Sequence, residues 1–333
     1  MESSTNSTTI TDEQPQIAQE FPHIIRVFTD GRVERLRGTD IVPPSLYPHS
    51  VVSSKDITLD SQNNIAARLF LPPPQSTRNH KLPIVIYFHG GAFCVNSPFN
   101  AAYHNYLTAL VSKANVVAVS VQYRLAPEHP LPAAYDDAWT ALQSVASHGK
   151  NNGPEPWLNE HADFERVFLA GDSAGANIVH NIVMMAGHPD MNLGIDILGA
   201  CLSHPYFWGS TPIGSEVLEP GKRELVDRLW PFICPSMPES DNLWVNPMAE
   251  DAPSLAWLGC RRVFVCIAEK DVLKDRGRLY YEALSRSGWT GVVEIEETEG
   301  KGHAFHIHDL ECDKAKELIT SMAEFFNRDA PPF

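Results

Sequence analysis

From residue 80 onward, short apolar runs alternate with segments that have helical spacing. The runs are rich in β-branched and aromatic residues, which favours strands. Strands are predicted over Ile84–Phe88, Val116–Tyr123, Val167–Ala170, Ile195–Leu202, Val263–Ala268 and Val292–Glu296. Helices are predicted over 100–114, Ala133–His148, Ala174–Gly187, Lys274–Ser287 and about Leu310–Phe326. Apolar strands that alternate with helices indicate an α/β fold, with a mostly parallel central sheet and helices on both faces.

The chain ahead of this repeat has a different pattern. Residues 1–20 are polar and poor in apolar side chains, which predicts a disordered N-terminus. Asp30-Gly31 separates two alternating runs, a pattern typical of a β-hairpin. Residues 21–333 are expected to form a single domain.

A long proline-rich stretch, about 205–258, interrupts the repeat. It contains one amphipathic segment near Glu224–Ile233, and it is too long for a simple connection. We predict that it is an insertion over the carboxyl ends of the strands, where parallel sheets bind their ligands. With the N-terminal segment it would form a cap over the site.

The net charge and the cysteine content indicate which partners and which cellular compartment to expect. The formal net charge is −15, from 26 Lys+Arg against 41 Asp+Glu. An acidic surface repels phosphate backbones and anionic lipids, so we expect no nucleic-acid or membrane partner. The six cysteines form no CxxC pair, which predicts free thiols in a reducing compartment. No apolar run is long enough to cross a bilayer and the start lacks a signal-peptide pattern, so a cytoplasmic location is expected.

The most informative segment is Gly171-Asp172-Ser173-Ala174-Gly175. It follows an apolar strand and precedes a helix, which is the context in which a GxSxG pattern holds a nucleophilic serine in a tight turn. Small residues two positions either side of Ser173 allow the neighbouring backbone to pass close by. A chance match is the alternative, but the strand-turn-helix context disfavours it. Asp172 is interpreted as structural.

A second glycine-containing segment, His89–Phe93, follows the strand Ile84–Phe88. Backbone N–H groups that converge at a strand end can bind the oxyanion of a tetrahedral intermediate. We predict Gly91 and Ala92 as donors, together with Ala174 and, as a further candidate, Gly90. His89 is interpreted as holding this loop. A phosphate-binding loop is a weak alternative, because no Lys-Ser/Thr follows.

These motifs together resemble the hormone-sensitive-lipase-like branch of the α/β hydrolases, and within it the plant carboxylesterases. Tyr123–Trp139 (YRLAPEHPLPAAYDDAW) carries a third segment that is similar to that branch. The resemblance extends from about Phe21 to the end of the chain. It implies an α/β-hydrolase fold and a serine carboxylesterase. Ala92 stands where many members have a third glycine, and alanine still supplies the backbone N–H.

The acid and the base are expected in the chain order Ser, acid, His. Asp271 lies just past an apolar strand and matches the family pattern, although Glu269 and Asp275 are near. His303 lies in a glycine-flanked loop after another strand. His303 would take the Ser173 proton, and Asp271 would orient the imidazole. The alternative for Asp271 is a structural role, as a helix N-cap or a surface carboxylate.

Two further expectations concern the surroundings of the triad Ser173, Asp271 and His303. A metal site of His303, His306 and His308 is conceivable, but no carboxylate or cysteine has suitable spacing, so no metal and no cofactor are expected. A subset of the nearby aromatic residues is expected to line the pocket, without a basis for choosing among them. They are Phe93, Tyr206, Phe207, Trp208, Trp230, Trp244 and Phe305.

The sequence therefore predicts hydrolysis of small, fairly apolar carboxylic esters through an acyl-enzyme on Ser173. Two alternatives come from the same branch. One is a plant dehydratase, lyase or cyclase that uses the same pocket, and the other is a gibberellin-receptor-like binding protein. His303 argues against the receptor, because such receptors replace that histidine. The natural ester and the oligomeric state are left open.

Overall fold

The computed structural model describes residues 15–46, 50–73, 80–150 and 153–329. Most of the segment predicted to be disordered, residues 1–14, lies outside the described residues. The strands are, in chain order, β1 (Ile17–Phe21), β2 (Ile25–Phe28), β3 (Val33–Arg35), β4 (Ser53–Asp60), β5 (Ile65–Leu71), β6 (Leu82–Phe88), β7 (Val117–Gln122), β8 (Ala162–Asp172), β9 (Ile197–Ser203), β10 (Cys260–Ala268) and β11 (Val292–Thr298).

Helices connect these strands. They are α1 (Ala101–Ala114), α2 (Ala133–Ala146), α3 (Pro156–His161), α4 (Ala174–Ala186), α5 (Pro220–Ile233), α6 (Lys274–Arg286), α7 (Phe305–His308) and α8 (Asp313–Phe326). Short 3₁₀ turns cover Ser147–Lys150, Gly214–Leu218 and Leu255–Trp257. The long predicted helices and the predicted strands are confirmed, with ends that differ by a few residues.

The central sheet has eight strands in the order β11-β10-β9-β8-β6-β7-β5-β4. Neighbours from β11 to β7 are parallel, whereas β5 is antiparallel to both of its neighbours. Every side chain of β6 and β9 is buried, which explains why their sequences are apolar without alternation. The predicted α/β-hydrolase architecture, a mostly parallel sheet between helices, is confirmed.

The edge strand β4 was not predicted from the sequence. Its residues, SSKDITLD, include charged side chains, and it pairs only with β5 at the end of the sheet. Polar and charged residues are usual on an edge strand, because they discourage pairing with another chain. An edge strand therefore lacks the apolar signal on which the other predictions depended.

The N-terminal segment forms a separate three-stranded sheet, β1-β2-β3. The predicted hairpin at Asp30-Gly31 is confirmed by the antiparallel pairing of β2 with β3. The prediction of disorder is wrong for residues 17–20, which belong to β1. This sheet packs on α5, where the rings of Phe21 and Phe232 lie 4.9 Å apart. A strand of only five residues with one buried side chain gave no clear periodicity.

The apolar core occupies both faces of the central sheet. The six cysteines are free thiols, as predicted. Within the ranges that the structure describes, no helix has the length and the apolar character needed to cross a membrane.

Candidate active site

Ser173 occupies the turn between β8 and α4. Its backbone has φ 52° and ψ −115°, a sparsely populated conformation for a residue with a side chain. The turn is so tight that a Cβ on Gly175 would lie 1.9 Å from the carbonyl oxygen of Phe88. A Cβ on Gly171 would lie 2.5 Å from the carbonyl carbon of Gly175. Only glycine fits at these two positions, so the motif follows from the close approach of β6 to the turn.

Asp271 and His303 come from the loops after β10 and β11. Nδ1 of His303 lies 2.7 Å from Oδ2 of Asp271. The other carboxylate oxygen of Asp271 accepts a hydrogen bond from the N–H of Leu273, at 3.0 Å. An Nδ1–H that is donated to the carboxylate leaves Nε2 of the imidazole as a proton acceptor. The pair has the arrangement of a general base and the group that orients it.

The electrostatics of this pair favour a base with a raised proton affinity. Burial lowers the pKa of His303, but the charge and the hydrogen bond of Asp271 outweigh that effect, and the pKa is raised. Burial would raise the pKa of Asp271, yet the interactions with His303 lower it. Each group therefore stabilises the charged form of the other.

Ser173, Asp271 and His303 line one cavity of about 390 Å³. The N-terminal segment and α5 also contribute to its wall. The lining residues are Ile24, Arg37, Ala92, Ser173, Tyr206, Lys222, Leu225, Val226, Leu229, Lys270, Asp271, Val272, Leu273 and His303. Its wall is mostly hydrocarbon, as in many small-molecule sites, with a few polar groups that converge on it.

The loop after β6 lies beside Ser173 and has a strained backbone. Gly91, Ala92 and Phe93 all have positive φ, at 116°, 55° and 57°. Among the described residues, no acceptor takes the N–H of Gly91, of Ala92 or of Ala174 at the start of α4. Unpaired N–H groups at a helix start and in a strained loop can bind a developing oxyanion.

Gly90, the further candidate donor, is used differently. Its N–H is donated to Oδ1 of Asp172 at 2.9 Å, and it also lies 2.8 Å from the Tyr103 hydroxyl. A Cβ on this residue would lie 2.3 Å from Oδ2 of Asp172. The expectation that Gly90 serves as an oxyanion donor therefore needs correction, because its N–H fixes the loop to the carboxylate.

Asp172 is the centre of a buried network that the sequence did not reveal. It accepts hydrogen bonds from the hydroxyls of Tyr87 at 2.7 Å and Tyr103 at 2.9 Å, besides the N–H of Gly90. Burial raises the pKa of Asp172 despite these donors. The network connects the residue before Ser173 with the loop that carries the candidate oxyanion donors. Tyr87 and Tyr103 gave no sequence signal beyond that of core aromatics.

His89 holds the same loop from the other side. Its ring stacks on Tyr123, with centroids 4.3 Å apart, and its Nδ1 lies 2.8 Å from the carbonyl oxygen of Gly90. Burial lowers the pKa of His89 to about 4, so the ring is neutral near pH 7. This environment agrees with the interpretation of His89 as a structural residue.

A second histidine, His204, was also missed by the sequence reasoning. Its Nδ1 accepts a hydrogen bond of 2.7 Å from the N–H of Ala304, which follows His303. Possible ligand atoms of His204, Asp271 and His303 lie within 4.8 Å of one another, whereas the histidine set considered above included His306 and His308. The hydrogen bonds of Asp271 to His303 and of His204 to the N–H of Ala304 indicate that these residues hold the His303 imidazole in place.

The seven aromatic residues that were expected near the pocket lie in different parts of the structure. Of the seven, Tyr206 lines the cavity that contains Ser173. Trp244 lines a different apolar cavity, against the distal half of α4. Phe93, Phe207, Trp208 and Trp230 are buried in the core on one face of the sheet, and Phe305 is buried in the second core cluster.

Comparison with known proteins gives a consistent result. A sequence model of the α/β-hydrolase fold family matches residues 85–307. Probable carboxylesterase 2 from Arabidopsis thaliana is 46% identical over 317 residues, which cover 94% of this chain and 97% of that protein. The 2-hydroxyisoflavanone dehydratase of Glycyrrhiza echinata is 45% identical over 331 residues, covering 98% of this chain and 99% of that protein.

Solved structures agree with this assignment. A hyperthermophilic esterase from the archaeon Pyrobaculum calidifontis superimposes with a TM-score of 0.69 and 26% sequence identity. The superposition covers 85% of this chain and 86% of that one. The residues matched by the family model, 85–307, include Ser173, Asp271 and His303.

Proposed function

The chain belongs to the α/β-hydrolase fold family, in the branch of the plant carboxylesterases, and from this we propose that it hydrolyses carboxylic esters through an acyl-enzyme on Ser173. The observation that carries the proposal is the meeting of Ser173, the Asp271–His303 pair and Ala92, whose N–H is unpaired, at one cavity. The unpaired N–H groups of Gly91 and Ala174 belong to the chain neighbours of Ala92 and Ser173. Each group has the role that acyl transfer requires.

The reaction would proceed in two halves. Ser173 Oγ attacks the ester carbonyl carbon and gives its proton to Nε2 of His303, which Asp271 holds in the required tautomer. The N–H groups of Gly91, Ala92 and Ala174 stabilise the oxyanion. Collapse of the intermediate breaks the ester C–O bond, and His303 returns the proton to the leaving alcohol. Water then attacks the acyl-enzyme with His303 as base, which releases the acid and frees Ser173.

The experiment is hydrolysis of 4-nitrophenyl esters of increasing acyl length by the purified protein, with Ser173→Ala and Ser285→Ala compared. We expect Ser173→Ala to lower kcat at least ~10³-fold, because it removes the nucleophile. Ser285→Ala, on an exposed face of α6, should keep its activity. An organophosphate should modify Ser173, as mass spectrometry would detect. Full activity in Ser173→Ala would exclude the proposed acyl-enzyme.

The second candidate is a dehydratase, favoured by the 45% identity to the Glycyrrhiza echinata enzyme. Elimination of water needs a base such as His303 but no covalent bond to Ser173. A Ser173→Ala protein that lost ester hydrolysis but kept an elimination reaction on a β-hydroxy ketone would support this candidate. A parent protein that hydrolysed esters and gave no elimination product would reject it.

A further inference from the structure

The catalytic cavity has a charge opposite to that of the whole protein. Its lining includes Arg37, Lys222 and Lys270, whereas its acidic member is Asp271. That carboxylate is already hydrogen-bonded to His303. Acidic residues outnumber basic ones by 41 to 26 in the chain, so the average composition does not explain a cationic cavity. A local excess of cations attracts an anion against the overall field.

Arg37 has no partner for its guanidinium among the residues that the structure describes. Each of the other arginines in those ranges has a carboxylate, a carbonyl or an aromatic ring beside it. The positive charge of Arg37 acts on the imidazoles of His303 and His308, where it opposes protonation and lowers the pKa. Arg37 and His303 line the same cavity, so a substrate bound there can contact both side chains.

The backbone holds Arg37 in this place from both sides. The N–H of Leu36 donates to the carbonyl oxygen of Ile24 at 2.8 Å. Gly38 has φ 72° and packs so closely on Asn96 that a Cβ would lie 2.2 Å from its Oδ1. Since Asn96 also donates to the carbonyl of Gly90, at 3.2 Å, the segment is fixed to the candidate oxyanion loop. A fixed backbone lowers the part of the entropy loss that comes from the main chain when the exposed Arg37 side chain binds a ligand.

Lys270 is the second available cation. Its ammonium has no carboxylate partner in the described part of the chain, and the adjacent Glu269 accepts a hydrogen bond from the N–H of Gly300 at 2.6 Å. Lys222 differs, because Glu219 forms an ion pair with it. Arg37 and Lys270 are thus the cations of the cavity whose charge is not already compensated.

We propose that the substrate is an ester that also bears a carboxylate, which Arg37 and Lys270 bind while the apolar wall contacts its hydrocarbon part. The inference rests on the proposed ester hydrolysis. Arginine suits this role, because its planar fork can bind a carboxylate through two parallel hydrogen bonds. The wall formed by Leu225, Val226 and Leu229 of α5 supplies the apolar surface.

The test uses two pairs of esters that differ only in a terminal carboxylate or carboxamide. Mono(4-nitrophenyl) adipate and 4-nitrophenyl adipamate place this group on the acyl side. The acetate esters of 3-(4-hydroxyphenyl)propanoate and of the corresponding propanamide place it on the alcohol side. The quantity compared is the ratio of kcat/KM, carboxylate over carboxamide, at low ionic strength of ~10 mM.

In the parent protein we expect a ratio of about ten or more in one pair, which also identifies the side that carries the anion. Arg37→Gln should lower this ratio about tenfold, and Lys270→Gln should lower it by a smaller factor. Lys113→Gln is the matched control, since it removes the same charge from an exposed position of α1 outside the cavity and should keep the ratio. Salt at ~0.5 M should reduce the preference.

Two outcomes would overturn the inference, and they have different meanings. Ratios within twofold of one in both pairs, or a preference that neither Arg37→Gln nor Lys270→Gln reduces, would reject carboxylate binding. The proposed hydrolysis would survive either result, because the carboxamide esters would still be cleaved. Failure to cleave any of the four esters would instead reject the proposed function and the inference with it.

Discussion

Two buried aspartates lie near Ser173, and their partners give them opposite properties. Asp172 accepts hydrogen bonds from two tyrosine hydroxyls and one backbone N–H, all neutral donors, and burial raises its pKa. Asp271 is almost as buried, but it faces the imidazole of His303, which can become charged, and its pKa is lowered. The chemistry of the partner, rather than burial, separates the two carboxylates.

This difference suggests separate roles for Asp172 and Asp271. A carboxylate that is bonded to neutral donors fixes the positions of those donors, here the tyrosines and Gly90. A carboxylate that is bonded to an imidazole changes the free energy of proton transfer at that imidazole. We therefore expect substitutions of Asp271 to alter chemistry, and substitutions of Asp172 to alter both stability and the shape of the oxyanion loop.

The largest effect is expected for Asp271→Asn. An amide in place of the carboxylate can stabilise the wrong imidazole tautomer and no longer stabilises the imidazolium, so kcat should fall about 10³–10⁴-fold. Steady-state hydrolysis of 4-nitrophenyl butyrate measures this loss. Asp309→Asn, which changes an exposed aspartate directly after α7, should change kcat less than twofold. A kcat for Asp271→Asn above a tenth of the parent value would remove Asp271 from the proposed mechanism.

A smaller and different effect is expected for Asp172→Asn. The amide nitrogen cannot accept from a hydroxyl or an N–H, so the network loses acceptors and the free energy of unfolding should fall by about 1–3 kcal/mol. Because Gly90 is then less firmly held, kcat should also fall about 10–100-fold with little change in KM. Urea denaturation and steady-state kinetics would measure both quantities.

Tyr103→Phe is the graded control for this network. It removes one hydroxyl and leaves the other donors to Asp172, so about 1 kcal/mol of stability and less than a tenfold change in kcat are expected. If Asp172→Asn left stability unchanged but abolished activity as fully as Asp271→Asn, the proposed division between the two aspartates would be wrong.

The sequence predicted the features that depend on local pattern. The alternation of apolar strands with helices predicted the sheet, and Gly171 and Gly175 predicted the tight turn at Ser173 because their small size is a local requirement. Parallel strands bring their carboxyl ends to one edge, which indicated the loops of Asp271 and His303, and the family resemblance favoured Asp271 over Glu269 and Asp275. The meeting of Asp271 and His303 in space therefore followed from chain order and topology together.

The features that were missed depend on contacts between distant segments. Tyr87 and Tyr103 belong to β6 and α1, and nothing in either segment indicates that both hydroxyls reach Asp172. The different use of the Gly90 N–H follows from the same network. Arg37 lies in a short loop after β3, where a single arginine carries no pattern. Long-range polar contacts leave no periodic signal in a sequence.

A shift in the pH profile is the smallest of these effects, and it measures how strongly each aspartate raises the proton affinity of His303. His303 acts as a base only when neutral, so kcat/KM for a neutral ester should rise with pH. Because the pKa of His303 is raised, the midpoint should lie above the ordinary value of about 6.5. The charge of Asp271 is the main cause of this rise and that of Asp172 a lesser one, whereas Arg37 opposes it.

The shift of this midpoint should therefore differ in sign and size among three variants. In the residual activity of Asp271→Asn the midpoint should move down the most, in Asp172→Asn it should move down less, and in Arg37→Gln it should move up. The raised pKa of His303 also contributes to the free energy of unfolding. This contribution is fully present below about pH 6.5, and it is lost as the pH rises through the pKa of His303 in the folded protein. If Asp172→Asn moved the midpoint further than Asp271→Asn, the two carboxylates would have to exchange roles, because proton affinity at His303 would then depend chiefly on the tyrosine-bonded aspartate.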